Sequence, residues 1–285
     1  MQATVEIESG QRFAFGANWL RFLETVDGER IAMAQQDITQ MLQVDDLSGL
    51  RFLDVGCGSG LSSLAAVRLG ATVHSFDYDP SSVGCTQELK RRFEPDNTAW
   101  QIEQGSVLDR DYLESLGKYD IVYSWAARHH TGAMWQAIEN AMIPVADHGK
   151  FFISIYNDQG WKSRVWRQIK KAYCHSPELA KPLLALAIGG ATELLGFGRH
   201  LFSPIEFVRR RLQYRKLRGM SYWHDVIDWI GGYPFEVASS EEITEFCAGS
   251  GLVLDNHKSV GTSSGCNVFV FRRNSHTQFS GIGQR

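Results

Sequence analysis

The chain has 285 residues, 44% hydrophobic and 21% charged, with a net charge of −3, an ordinary soluble globular composition with room for one large unit and an insertion. Its five cysteines (57, 85, 174, 247, 266) are odd in number and lack C-x-x-C spacing, which excludes a disulfide frame or zinc site and predicts reduced, cytoplasmic thiols. The opening residues, MQATVEIESGQ, show no basic-then-apolar pattern, and the most apolar stretch, 182–197, is interrupted by Glu193 and glycines, so neither a signal segment nor a membrane span is expected.

In chain order, residues 3–14 read as a small hairpin around Glu8-Ser9-Gly10. Helical patterns follow at 17–26 and 29–43, the second with Ile31, Ala34, Ile38, Met41 and Leu42 on one face. Then strands and helices alternate. Strands are predicted at 51–55, 72–76, 100–104, 120–125 and 150–156, and helices at 61–69, 81–93 and 133–142. Short apolar strands alternating with helices predict a parallel sheet covered on both faces. About eighty residues of helical pattern, rich in Trp, Arg, Leu and Tyr, come next. A helix at 240–249 opening on "SSEE" and strands at 252–256 and 267–272 close the chain.

The stretch "FLDVGCGSGL" (52–61) sets three glycines at alternate positions behind an acid. A dinucleotide turn needs G-x-G-x-x-G, and a phosphate loop ends in Gly-Lys-Ser/Thr; neither is present. The remaining pattern, D-x-G-x-G-x-G at a strand-to-helix turn, lets a ligand touch bare backbone. An acid two residues before the first glycine suits an ammonium group better than a pyrophosphate. Asp77 ends the next strand, where doubly wound sheets hold ribose hydroxyls. "QGSVLD" (104–109) and "VYSWAARHHTG" (122–132) end the third and fourth strands, so four segments converge on one crevice.

"LDVGCGSG", the acid of "FDYD", "GSVLD" and "YDIVYSW", in this order over residues 50–155, resemble the class I S-adenosylmethionine-dependent methyltransferases. The resemblance implies a Rossmann-like, doubly wound α/β fold with seven strands, the last antiparallel, and a helical insertion after the fifth. It implies S-adenosyl-L-methionine as cofactor and S-adenosyl-L-homocysteine as product. Gly56, Gly58 and Gly60, with Cys57 in the same turn, would lie under the methionine and ribose. Asp54 would reach the amino group, Asp77 the ribose, Tyr78 the adenine face, Ser106 and Val107 its edge. Ser124 and Trp125 would border the sulfonium. The family often has an acid where Ser106 stands, so the adenine contact here is expected to be mainly backbone. "SW..HHTG.MW", "IYNDQGW", "WHD..DW.GGYPFEV" and "GCN.FVF" extend the resemblance to a bacterial small-molecule subgroup loosely similar to ubiquinone-pathway O-methyltransferases.

Methyl transfer is mostly placement, but a hydroxyl or ammonium acceptor must also lose a proton. His129 and His130 follow the fourth strand and are the candidate bases, His129 first, with helix capping or packing as the structural alternative. Tyr156 and Asn157, ending the fifth strand, and His224 and Tyr233, where the insertion returns, are the candidate substrate contacts. No metal site is expected.

The predicted organisation is an N-terminal helical lid (1–46), a cofactor-binding core (47–158 and 238–273), a basic substrate cap (159–237) and a polar tail (274–285). Thirteen Lys/Arg and three acids between Lys162 and Arg218 give that window +10 and leave −13 for the rest. Solvated helix faces, a lipid-linked or anionic substrate, and RNA phosphates all fit such a run. The expectation is a cap over a small-molecule acceptor, anionic or lipid-linked, with a second copy of the chain as a further candidate partner and nucleic acid not favoured. The expected reaction is methylation of a hydroxyl on a saccharide, quinone-like molecule or natural-product intermediate. The alternatives are an RNA methyltransferase and a non-catalytic binding module.

Overall fold

A computed structural model of the protein describes residues 5–6, 9–13, 15–125, 130–177, 179–199 and 222–274. Seven strands form one sheet: β1 (Arg51–Val55), β2 (Thr72–Asp77), β3 (Trp100–Gln104), β4 (Tyr119–Ser124), β5 (Val145–Tyr156), β6 (Leu252–Lys258) and β7 (Cys266–Arg273). Their order across the sheet is β3-β2-β1-β4-β5-β7-β6. Pairing is parallel from β3 through β5, and β7 runs antiparallel to both its neighbours. The order reverses beside β1, so a crevice opens at the carboxyl ends of β1 and β4.

Among the described residues, ten helices surround or extend the sheet: α1 (Phe15–Phe22), α2 (Gly28–Leu42), α3 (Leu61–Arg68), α4 (Pro80–Phe93), α5 (Arg110–Ser115), α6 (Met134–Met142), α7 (Trp161–Cys174), α8 (Lys181–Arg199), α9 (Tyr222–Gly231) and α10 (Ser240–Gly249). One apolar cluster joins α2 and α3 to the sheet through Ile31, Ile38, Leu42, Leu64 and Phe52. A second joins α6 and α10 to the opposite face through Met134, Ile138, Ile243, Val122 and Phe271. The central strands are buried on both faces, which is why they read as near-continuous apolar runs. The "SSEE" signal is a true capping box: Ser239 Oγ accepts from Glu242 N at 3.1 Å, and Glu242 Oε2 accepts from Ser239 N at 2.8 Å.

Three expectations need correction. The described part of 3–14 is not a hairpin: Val5 and Glu6 are helical, and Ser9 N donates back to Val5 O. The fifth strand starts five residues early, at Val145, because a register shift and a positive φ of 60° at His148 carry an edge-like segment into the ladder. Helix α2 is part of the core layer, tied to β6 by Asn256 Nδ2 donating to Met41 O at 2.9 Å, so only the segment ahead of it reaches the crevice. The basic run at 205–218 and the tail beyond 274 lie outside the described residues.

Helices α7, α8 and α9 build a small third core from Tyr173, Cys174, Ala185 and Ile230, and Phe13 of the N-terminal segment packs into it. Lys170 is fully buried there, its Nζ donating to Trp229 O and lying 4.2 Å from the Trp229 ring centre. The helical insertion and the N-terminal segment are therefore packed together above one end of the sheet.

Candidate active site

β1 leads into the glycine turn, whose N–H groups fold back on β2: Gly56 N and Cys57 N both donate to Phe76 O, at 2.9 and 3.1 Å. Gly58 has φ +54°, and a Cβ there would lie 3.2 Å from Trp19 Nε1. Gly60 has φ +80°, and a Cβ there would sit 2.8 Å from the Thr86 side chain. The positive φ favours glycine at both positions, and at Gly60 the space against Thr86 does so as well. Cys57 is buried and its thiol accepts from Thr86 Oγ1 at 3.3 Å; burial raises its pKa well above the usual thiol range.

Asp77 lies partly buried at the end of β2. Its Oδ2 accepts from Gly58 N at 3.0 Å and its Oδ1 from Asp79 N at 2.9 Å. Burial pushes its pKa up to about 6, against the two N–H donors. Each carboxylate oxygen keeps a further lone pair for a ligand hydroxyl. Asp54 is 2% exposed and does not face the crevice; Ser63 Oγ donates to it at 2.5 Å. Ser63 Oγ is 2.7 Å from Ser75 Oγ, which accepts from Trp100 Nε1 at 2.9 Å. Burial pushes Asp54 up to about 7 despite the Ser63 bond, and Asp77 adds to the rise.

The other predicted contacts divide. Ser106 Oγ is turned toward its own loop, accepting from Leu108 N at 3.2 Å, and Val107 O accepts from Asn140 Nδ2 at 3.0 Å. Ser124 is buried and donates to Val55 O at 2.7 Å, bracing β4 against β1, while Trp125 beside it is 47% exposed. Tyr156 lies at the crevice end of β5 with rings of His130, Phe235 and Trp229 around it at 5.6, 5.2 and 5.6 Å. Asn157 does not turn to the crevice: its amide stitches β5 to the β6–β7 loop through Gly261 O, Ser263 O and Asn267. Tyr233 sits in the cap core, and its carbonyl accepts from Phe13 N at 3.0 Å.

His130 is buried, with Nδ1 donating to Pro234 O at 2.7 Å and its ring 4.8 Å from that of Phe15. Burial pushes its pKa down to about 3, with Lys170 and Arg12 adding to the fall. This geometry is that of a joint between sheet, cap and N-terminal segment. His129, like residues 126–128, lies outside the described residues, and so does the side chain of His224.

The sequence reading missed Arg12. It bonds Glu6 Oε2 at 3.1 Å, lies over the Tyr78 ring at 5.0 Å, and donates to His130 O at 2.8 Å. Tyr78 OH in turn donates to Glu6 Oε1 at 3.1 Å, and Gly16 N donates to Asp79 Oδ2 at 3.1 Å. The N-terminal segment is thus strapped across the crevice from β2 to β4, with Trp19 against the glycine turn. No pattern in the chain signals a contact 118 residues apart. Among the described residues no group of three or more His, Cys, Asp or Glu is placed to hold a metal ion. No described helix is long and apolar enough to cross a membrane.

Residues 53–151, the segment holding the glycine turn, Asp77 and the β4 end, match the family model described as "Methyltransferase domain". Over those residues the chain is similar to methyltransferase domains. Curated relatives of the chain include a ribosomal protein L11 methyltransferase of Lachnospira eligens, 24% identical over half of this chain and 43% of that protein. A ubiquinone biosynthesis O-methyltransferase of Coxiella burnetii is 26% identical over half of this chain and 55% of that protein. The chain therefore spans about half the length of these relatives. Among solved structures, the magnesium protoporphyrin IX methyltransferase of Synechocystis PCC 6803, with bound S-adenosylhomocysteine, has a TM-score of 0.54 at 15% identity and covers 95% of this chain and all of that one. The PKMT2 protein of Rickettsia typhi has a TM-score of 0.55 at 14% identity, covering 86% of this chain and 53% of that one. At these identities the likeness is one of fold.

Proposed function

We propose that the protein transfers a methyl group from S-adenosylmethionine to a hydroxyl of a small-molecule acceptor held beneath the helical cap. The observation that carries this reading is the pairing of Asp77 with the bare glycine turn. A half-buried carboxylate with lone pairs to spare ends β2, and Gly58, whose positive φ favours glycine, lies beside it. These residues fit an adenosyl group with an amino-acid tail. When bound, S-adenosylmethionine supplies a methyl on a sulfonium, open to in-line displacement.

The chain's own contribution is placement and exclusion of water. Asp77 would accept from the ribose hydroxyls, and Gly56, Cys57, Gly58 and Gly60 would give the tail backbone to lie on. Tyr78 would flank the adenine once its hydroxyl is released from Glu6, with Ser106 and Val107 at its edge. Asp54 acts through the turn, fixing it by way of Ser63, and so positions the site without touching the ligand. Ser124 and Trp125 border the reacting centre, and Tyr156 and Tyr233 line the cap side.

His130 is too acidic and too firmly held to take the acceptor's proton; we assign that role to His129. The small-molecule reading draws on the ubiquinone O-methyltransferase relative and on the enclosed, aromatic underside of the cap. The test is titration calorimetry with S-adenosylhomocysteine. The unaltered chain is expected to bind it, and Asp77→Ala to lose at least about tenfold in affinity, one or two charge-assisted hydrogen bonds. Equal affinity for both proteins would defeat the reading.

A further inference from the structure

The outer side of the helical cap is apolar where a solvated surface would be polar. Of the eleven large apolar side chains exposed among the described residues, five lie between Trp161 and Leu186. Single exposed leucines are ordinary, but a cluster of them in one part of the fold marks an interaction surface.

Helix α8 shows this most clearly. Its inner side, with Ala185 buried and Leu184 and Ile188 half-buried, faces the small core shared with α7 and α9. Its opposite side holds Leu183, 69% exposed, Leu186, 58% exposed, and the exposed Ala187 and Ala191, spaced i, i+3, i+4 and i+8. No charged residue occurs from Pro182 to Thr192, so neither side of this stretch is built for water. Leu179, almost wholly exposed, stands just ahead of the helix.

Helix α7 adds the charge. Lys170 and Cys174 on its inner side bond to Trp229 O and Gly231 O of α9. Its outer side carries Trp161, 64% exposed, with Val165 and Ala172 at i+4 and i+11. Exposed Lys162, Arg164 and Lys171 flank this stripe, and α7 contains no acid. The window 162–218 to which both helices belong holds thirteen Lys/Arg against three acids.

Charge and apolarity together separate the occupants of such a surface. A second copy of the chain would set two strongly basic windows against each other. An RNA backbone would meet the cations but leave the leucines and Trp161 against water. An anionic bilayer accepts both, its acyl chains the apolar groups and its headgroup phosphates the cations. No described helix is long and apolar enough to cross a membrane, so α7 and α8 would lie along the surface.

We propose that the outer side of the cap docks on an anionic lipid surface. Leu183, Leu186 and Trp161 seat at the boundary of headgroups and acyl chains, and Lys162 and Lys171 meet the phosphates. The cap, and with it the crevice beneath, is thereby held at the membrane. This docking needs no methyl transfer and stands apart from that reading.

Co-flotation of the whole chain with lipid vesicles tests it. Vesicles of phosphatidylcholine and phosphatidylglycerol in equal parts should carry the protein at low salt, and vesicles of phosphatidylcholine alone should hold it at least about tenfold more weakly. Leu183→Glu with Leu186→Glu should lower binding to the anionic vesicles about tenfold, and Lys162→Gln with Lys171→Gln by a similar factor. All four side chains are exposed, so the circular dichroism spectra of both variants should match that of the unaltered chain. No flotation with the anionic vesicles, the result expected if residues 200–221 cover the face or if RNA is the partner, would overturn the proposal. Equal flotation with both vesicles, or unchanged flotation of either variant, would do the same. So would a dimer that Leu183→Glu with Leu186→Glu splits, since the face would then belong to a second copy. The vesicle comparison on the unaltered chain stands even if a variant fails to fold.

Discussion

Trp100 Nε1, Ser75, Ser63 and Asp54 form a line of hydrogen bonds that runs through the core and ends under the glycine turn. Ser63 spends its one hydrogen on Asp54, so Ser75 donates to Ser63 and accepts from the indole. The carboxylate at the end is nonetheless buried, and its folded pKa of about 7 lies above its ordinary value near 4. A raised carboxylate binds more protons folded than unfolded, so its stabilising contribution is complete at low pH and is lost as pH rises through about 7. Asp77, raised to about 6, acts in the same direction. His130, lowered to about 3, acts oppositely: its contribution is present above the unfolded histidine value and fades as pH falls toward 3. Asp54→Asn keeps the Ser63 bond and removes the titration. Its melting temperature should exceed that of the unaltered chain at pH 8, and the gap should shrink as pH falls below about 7 and close only below about pH 4. A variant curve parallel to the original at every pH would contradict the assignment of this titration to Asp54. The glycine turn and Asp77 were legible because acid, turn and strand end are neighbours in sequence. Ser63, Ser75 and Trp100 were not, since a serine on a helix and a tryptophan on a strand carry no sign of facing each other. Asn157 was misplaced because a strand-end residue can point into the crevice or back to the next loop, and only the loop at 259–265 decides.

The N-terminal segment is read from the sequence as a helical lid, and the structure divides it: α2 belongs to the core, and residues 9–13 and 15–22 lie over the crevice. Its described hold runs through Glu6, Arg12, Phe13 and Gly16, which bind it to β2, to the β4 end and to the cap. Trp19 touches the turn on which the cofactor tail is proposed to lie, so the cofactor must move α1 to enter. Tryptophan fluorescence should therefore change on adding S-adenosylhomocysteine, and Trp19→Phe should remove most of that change. A full signal in Trp19→Phe would show that α1 stays in place. The capping box of α10 and the strand alternation were readable from local residue types. The strap was not, because its partners, Tyr78 and His130, come from two distant strand ends.

At the scale of the whole molecule, the alternation of apolar strands and helices predicted the parallel part of the sheet, and the resemblance implied the seven strands with a reversed one that the structure has. What the sequence did not reveal is how the basic insertion sits. Its described part covers one end of the sheet with a small aromatic core, and Lys170 points inward while Arg164 and Arg167 stay at the surface. A cap that turns its rings inward suits a small acceptor better than a nucleic-acid backbone. RNA affinity is accordingly expected to be weak, without the steep fall with salt that several phosphate contacts produce. Filter binding across a salt series measures this, and a steep slope at low salt would favour the RNA alternative.

The central claim is that the glycine turn and Asp77 together hold an adenosyl group. A co-crystal structure with S-adenosylhomocysteine tests it most directly. The account predicts the ribose hydroxyls within hydrogen-bond reach of Asp77, the amino-acid tail along residues 56–60, and Trp19 lifted from Gly58. A ligand bound elsewhere, or a Trp19 still seated on Gly58 at saturating ligand, would contradict it.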